Sequence, residues 1–172
     1  MRMQNIYLSP HFELREFTES ATARKHGIVN EPPTEAVENL KALCDHTLEP
    51  LRQALGLPIV ITSGYRSKAL NDLITHHSTR SQHMAGCAAD FYVPVQGAGF
   101  TVQGCPSRRE LLIRAFRLII LDERIVFDQL IIYPTFIHVG YVSSGKNRRK
   151  ITKANGQGRY CYLTRAQALA LV

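Results

Sequence analysis

His83 and Asp90 stand seven residues apart on either side of Gly86, at the mouth of an apolar stretch, and this spacing limits the possible folds more than any other feature. Seven helical residues rise about 10 Å, too far for one helix to bring both side chains to a common point. A loop that turns at Gly86 and feeds a strand over Cys87 to Val93 can do so. Along that strand Asp90 shares a face with Ala88 and Tyr92, so a carboxylate projects from a mostly apolar element. An unpaired charge there is costly, and a metal ion is one partner strong enough to offset it. A second histidine, His138, lies inside the apolar run Phe136-Ile137-His138-Val139-Gly140 and would complete a set of two nitrogens and one oxygen. Catalytic zinc is commonly held by three protein ligands, with a fourth position open to water or substrate. The same residues also fit a hydrogen-bonded core histidine and an aspartate that caps a turn.

The flanking sequence predicts mixed elements in an order that is not a βα alternation. Thr34 opens a helix on which Val37, Leu40, Cys44, Leu48, Leu51 and Leu55 recur at steps of three and four. Pro50 should kink or divide it, and Gly56 is placed to end it. Pro58 to Thr62 reads as a buried strand and Ser67 to about Ile74 as a short helix. The polar stretch Thr75 to His83 includes His76-His77, read as solvated, and residues 94–106 read as a surface loop. Ser107-Arg108-Arg109-Glu110 is a capping box for a helix through Ile119, and Thr164-Arg165-Ala166-Gln167 could cap a last one. Val126 to Ile132 and Phe136 to Val142, joined through Tyr133-Pro134-Thr135, suggest an antiparallel hairpin. The predicted class is α+β: an antiparallel sheet carrying the metal, with helices packed on it.

Composition narrows the partners. With 172 residues, 45% of them hydrophobic, the chain can bury a core without staples and reads as one domain, residues 1–172, with its core at about 8–150. No apolar run approaches the roughly 18 residues needed to span a bilayer, so no membrane insertion is expected. Met1 to Ile6 lack the features of a secretory signal, so synthesis in the cytoplasm without an export signal is expected. Cys44, Cys87, Cys105 and Cys161 form no C-x-x-C pair and read as free thiols. Lys and Arg number 21 against 14 Asp and Glu, a net charge of +7 that favours a polyanionic partner. Lys146, Arg148, Arg149, Lys150, Lys153, Arg159 and Arg165 fall in the last 27 residues, with no acid among them. No nucleic-acid motif accompanies them, so residues 144–172 read as a solvated or wall-binding basic tail, and no specific nucleic-acid partner is expected.

Four ordered segments carry a resemblance. Ser81-Gln82-His83-Met84-Ala85-Gly86-Cys87-Ala88-Ala89-Asp90 resembles the Ser/His/Gly/Ala/Asp signature of the zinc D-Ala-D-Ala carboxypeptidase family of peptidoglycan metallopeptidases. Ser63-Gly64-Tyr65-Arg66 resembles its upstream motif. Phe127 to Ile131 with Ile137-His138-Val139 resembles its closing hairpin. The opening Ser9-Pro10-His11-Phe12 through Glu16-Phe17 is similar to phage and prophage members. The resemblance implies a hedgehog/D-Ala-D-Ala-peptidase-like fold and a Zn2+ ion held by His83, Asp90 and His138. It further implies that Arg66 contacts a substrate carboxylate or the developing oxyanion. Ser81 could orient a ligand or simply turn the chain, and Tyr65 could line the cleft or pack. The implied activity is cleavage of a stem or crosslink peptide bond involving a D-amino acid, by a carboxypeptidase or an endolysin released through a holin or similar route. The expected partner is peptidoglycan or its stem peptides, and the expected state a monomer.

The sequence departs from the pattern at the general base. Thr135 stands three residues before the last histidine, where many relatives carry an acid, and Tyr133 stands where others carry a glutamate. Tyrosine is a donor near neutral pH and a poor base. Asp128 is the nearest acid. The base therefore stays unassigned, with Asp128 and Tyr133 as the places to look, and the rival reading is a non-catalytic zinc-bearing module that binds wall peptide or a protein partner.

Overall fold

The structure, a computed structural model, describes residues 5–74, 78–95, 106–143, 145–155 and 157–171. The predicted His76-His77 segment and most of the predicted 94–106 loop lie outside these residues. The chain opens with the short pair β1 (Tyr7–Ser9) and β2 (Phe12–Glu13), then α1 (Leu14–Thr18) and α2 (Ala21–His26). The long predicted helix forms as α3 (Thr34–Leu43), a π-turn over Cys44–Leu48 and α4 (Glu49–Leu55). Pro50 explains the division. It has no N–H to donate and takes a first-turn position of α4, where none is needed, while the π-turn absorbs the change of register. Gly56, at φ 64°, closes α4 in the left-handed region.

Next come β3 (Val60–Ser63), α5 (Lys68–Leu73), a 3₁₀ turn over Gln82–Ala85, and β4 (Ala88–Tyr92). The helix α6 (Arg108–Leu121) starts at the predicted Ser107/Glu110 capping box. It is followed by β5 (Gln129–Ile132), β6 (Ile137–Gly140), β7 (Lys150–Ala154), β8 (Tyr160–Tyr162) and α7 (Arg165–Leu169). Six strands make one sheet in the order β3-β4-β6-β5-β7-β8. One face carries Ala89, Phe91, Val139, Leu130, Ile132 and Ile151 into a core shared with α3, α4 and α6. The other face holds Asp90, His138, Ile131 and Thr152 and floors a cleft.

Two expectations are corrected. The sheet is mixed, because β5 and β7 run parallel. The β4 strand occupies the free side of β6, so the chain leaving β6 crosses to the open side of β5 and arrives in the direction of β5. Residues 144–172 are also not a tail. They contribute β7, β8 and α7, and Ile151 and Ala168 are buried in the core. Asp128 fixes this addition: Arg148 donates to its carboxylate from the backbone N at 2.8 Å and from Nε at 2.9 Å, and Lys150 N donates to its carbonyl at 2.9 Å. Among the described residues no helix is long and apolar enough to cross a membrane.

Candidate metal centre

Pairing within the sheet brings the three predicted ligands together. Asp90 of β4 lies directly opposite His138 of β6. His83 comes from the 3₁₀ turn, which Gly86 closes at φ 71° before the chain enters β4. A Cβ on Gly86 would run into the Ala36 carbonyl, so the turn needs glycine on both counts. As a result His83 Nε2, His138 Nδ1 and Asp90 Oδ1 face one another. Nε2 is 3.2 Å from Nδ1 and 3.3 Å from Oδ1, and Nδ1 is 2.8 Å from Oδ1. Donors about 2.0–2.1 Å from a tetrahedral ion stand about 3.3 Å apart, so the residues present fit a zinc ion. All three are buried.

The surroundings hold the donors in their metal-binding forms. His83 Nδ1 donates to the Gly64 carbonyl at 2.6 Å, which leaves Nε2 without a proton and aimed at the cluster. Burial pushes the His83 pKa below the usual histidine value, even with Asp90 beside it. Burial works against the Asp90 carboxylate, but the two imidazoles outweigh it and hold its pKa well below the usual range. Neutral imidazole and ionised carboxylate are the forms that bind a cation. The Gly64 carbonyl can reach His83 because its backbone passes tightly over Phe17, where a Cβ would come within 2.5 Å.

Arg66 adds the charge beside the cluster. Its Nη2 donates to Asp90 Oδ2 at 3.1 Å and its Nε to Ser63 Oγ at 3.1 Å. Asn30 secures the loop that carries it, donating to the Tyr65 carbonyl at 3.1 Å and accepting from Ser67 N at 2.7 Å. The cleft around these groups has a volume of about 950 Å³. Tyr133 enters it, its ring stacked on Phe136 at 4.2 Å and its hydroxyl 3.1 Å from that of Tyr160. Burial, with that hydroxyl contact, raises the Tyr133 pKa, so the phenol keeps its proton.

Three other residues singled out in the sequence are Tyr65, Ser81 and Asp128. Tyr65 packs in the core, since its side chain turns away from the cleft that Arg66 faces. Ser81 lines the cleft, but the contact that orients His83 is the Gly64 carbonyl. Asp128 is buried and held by Arg148 and by Gln82 Nε2 at 2.9 Å. Burial alone would raise its pKa, but Arg148 reverses the effect and lowers it. Among the described residues, Asp90 is the one carboxylate that lines the cleft. The residues outside the described set include no Asp or Glu.

The Peptidase M15 family profile matches residues 10–105, more than half of the chain. The chain belongs to the peptidase M15 family. The matched segment contains Arg66, His83 and Asp90 of this M15 protein, while His138 and Tyr133 lie beyond it. Comparison with the curated proteins finds no significant match. The family is one of zinc-dependent metallopeptidases, and this member carries a His-Asp-His cluster able to bind a metal. Sequence reasoning missed three supports of the site: Asn30, Gln82 and the Asp128–Arg148 pair. The Gly64 carbonyl lay within a motif already singled out, but a backbone acceptor leaves no mark of its own in a sequence.

Proposed function

We propose that this M15 protein is a zinc-dependent peptidoglycan peptidase that hydrolyses a stem or crosslink peptide bond involving a D-amino acid. The observation that carries the reading is the convergence of two imidazole nitrogens and one carboxylate oxygen beside a fixed arginine, in an open cleft. His83, Asp90 and His138 would hold the zinc, which when bound supplies a Lewis acid that polarises a carbonyl and acidifies a water. Arg66, already oriented by Asp90 and Ser63, presents its remaining N–H donors to a substrate carboxylate or carbonyl oxygen. The Tyr133 hydroxyl is a second donor that can stabilise a developing oxyanion. Asp128 acts as a positioning residue: it holds Gln82, the neighbour of His83, and anchors the start of β7.

That Asp90 is the one carboxylate lining the cleft among the described residues favours the other reading, a zinc-bearing module that binds wall peptide without cutting it. Incubating the zinc-loaded protein with purified peptidoglycan and soluble muropeptides separates the two. The peptidase reading expects new peptide ends by mass spectrometry that vanish with a chelator and in His138→Ala. Intact substrate from protein holding one zinc would leave the binding module.

A further inference from the structure

The row of paired residues that carries Asp90 and His138 continues past the metal centre. From His138 it runs to Ile131 of β5, Thr152 of β7 and Tyr162 of β8, all lining the cleft. Three strand spacings, about 14 Å, separate His138 from Tyr162. Hydrogen-bond donors collect at that far end. Lys150, two residues before Thr152 on the same face of β7, sets its Nζ 4.3 Å from the centroid of the Tyr162 ring and 2.9 Å from the Tyr162 hydroxyl. Thr152 is buried, and its hydroxyl makes no hydrogen bond. Asp128 is the last acidic residue of the chain and is taken by Arg148, so Lys150 has no carboxylate partner among the described residues. An ammonium steadied by an aromatic ring, on the same strand face as an unpaired hydroxyl and with the neighbouring Asp128 carboxylate already taken by Arg148, is arranged to receive an anion.

We propose that the cleft floor over β5, β7 and β8 is a distal subsite for a carboxylate of the substrate peptide, with Lys150 as its cationic contact and Tyr162 as its rim. The paired row leads without interruption from the metal centre through Thr152 to Tyr162, with Lys150 beside it on the same face of β7, so the anion belongs to the same peptide as the scissile bond. At about 3.3 Å per extended residue, the subsite lies about four residues from that bond. Substrates shorter than this on that side leave the subsite empty, so this cleft selects longer or crosslinked peptides over a terminal dipeptide. The inference rests on the peptidase reading for the identity of the peptide.

The test uses zinc-loaded full-length protein and a fluorescently labelled synthetic stem pentapeptide, with its carboxyl groups either free or converted to carboxamides. Binding is followed by anisotropy and cleavage by chromatography in the same samples. The wild type is expected to bind the acid form about tenfold more tightly than the amide form. Lys150→Met should reduce affinity for the acid form to that for the amide form and leave affinity for the amide form unchanged. Tyr162→Phe, which removes only the hydroxyl, should lose part of the preference. Since Arg66 can also favour the acid form, the difference between variant and wild type is decisive. A preference that survives Lys150→Met, or a variant that weakens both forms equally, overturns the subsite. Acid-selective binding that depends on Lys150 without any cleavage keeps the subsite and removes the peptidase reading. Cleavage without that dependence does the reverse.

Discussion

Gly86 shows how much of the site depends on single positions. Its φ of 71° and the nearby Ala36 carbonyl make the turn between His83 and Asp90 possible. Gly86→Ala should cost about 2 kcal/mol or more, read as a lowered midpoint in urea, because both the backbone conformation and the space are lost. Tyr133→Phe removes one donor and no bulk, so kcat on a stem peptide should fall about 10- to 100-fold with KM nearly unchanged. An unchanged kcat would show that the phenol takes no part. His83 and Asp90 were legible in the sequence because a short loop and one strand fix their separation. The direction of Tyr65 was not: a motif gives neighbours along the chain, and Tyr65 turns into the core while Arg66 turns to the cleft. The general base was not legible, because the cleft offers no second carboxylate among the described residues for a motif to point to.

At the scale of elements, the Asp128–Arg148 pair joins β5 to the incoming β7. Arg148→Ala leaves a buried carboxylate short of donors and should lower stability by about 2 kcal/mol, roughly 4–8 °C in Tm. The pH dependence follows from the lowered pKa of Asp128. Below the unfolded pKa near 3.9 the unfolded chain binds the proton more readily, so this contribution is complete above that pH and is lost as pH falls through the folded value. The stability difference between wild type and Asp128→Asn should therefore be largest at pH 5–7 and shrink below about pH 4. A difference that does not vary with pH would mean that the ionised carboxylate is not what holds β7. The helices were readable from periodicity and caps: Ser107 and Thr164 both open helices with the predicted capping boxes. The β7 and β8 strands were hidden, because Lys150-Ile151-Thr152-Lys153-Ala154 is short and basic and its partner β5 lies beyond an intervening strand. Nothing local marks a parallel pairing of that kind.

Over the whole molecule the sheet divides the labour, with one face packed against helices and the other open as a cleft whose row of paired residues runs from Ser63 to Tyr162. The +7 charge suits the anionic wall polymer proposed as the substrate. Because the donors converge only in the folded state, zinc should stabilise that state. At a hundredfold excess over its Kd the gain is about 2.7 kcal/mol, roughly 5–10 °C in Tm, and a chelator should reverse it. The measurement that tests the account most directly is equilibrium zinc titration, with a competing chromophoric chelator, of the wild type and of His83→Ala, Asp90→Ala and His138→Ala. The account predicts one zinc per wild-type chain and an affinity lowered about a hundredfold or more in each variant. Wild-type zinc affinity in any of the three would contradict it.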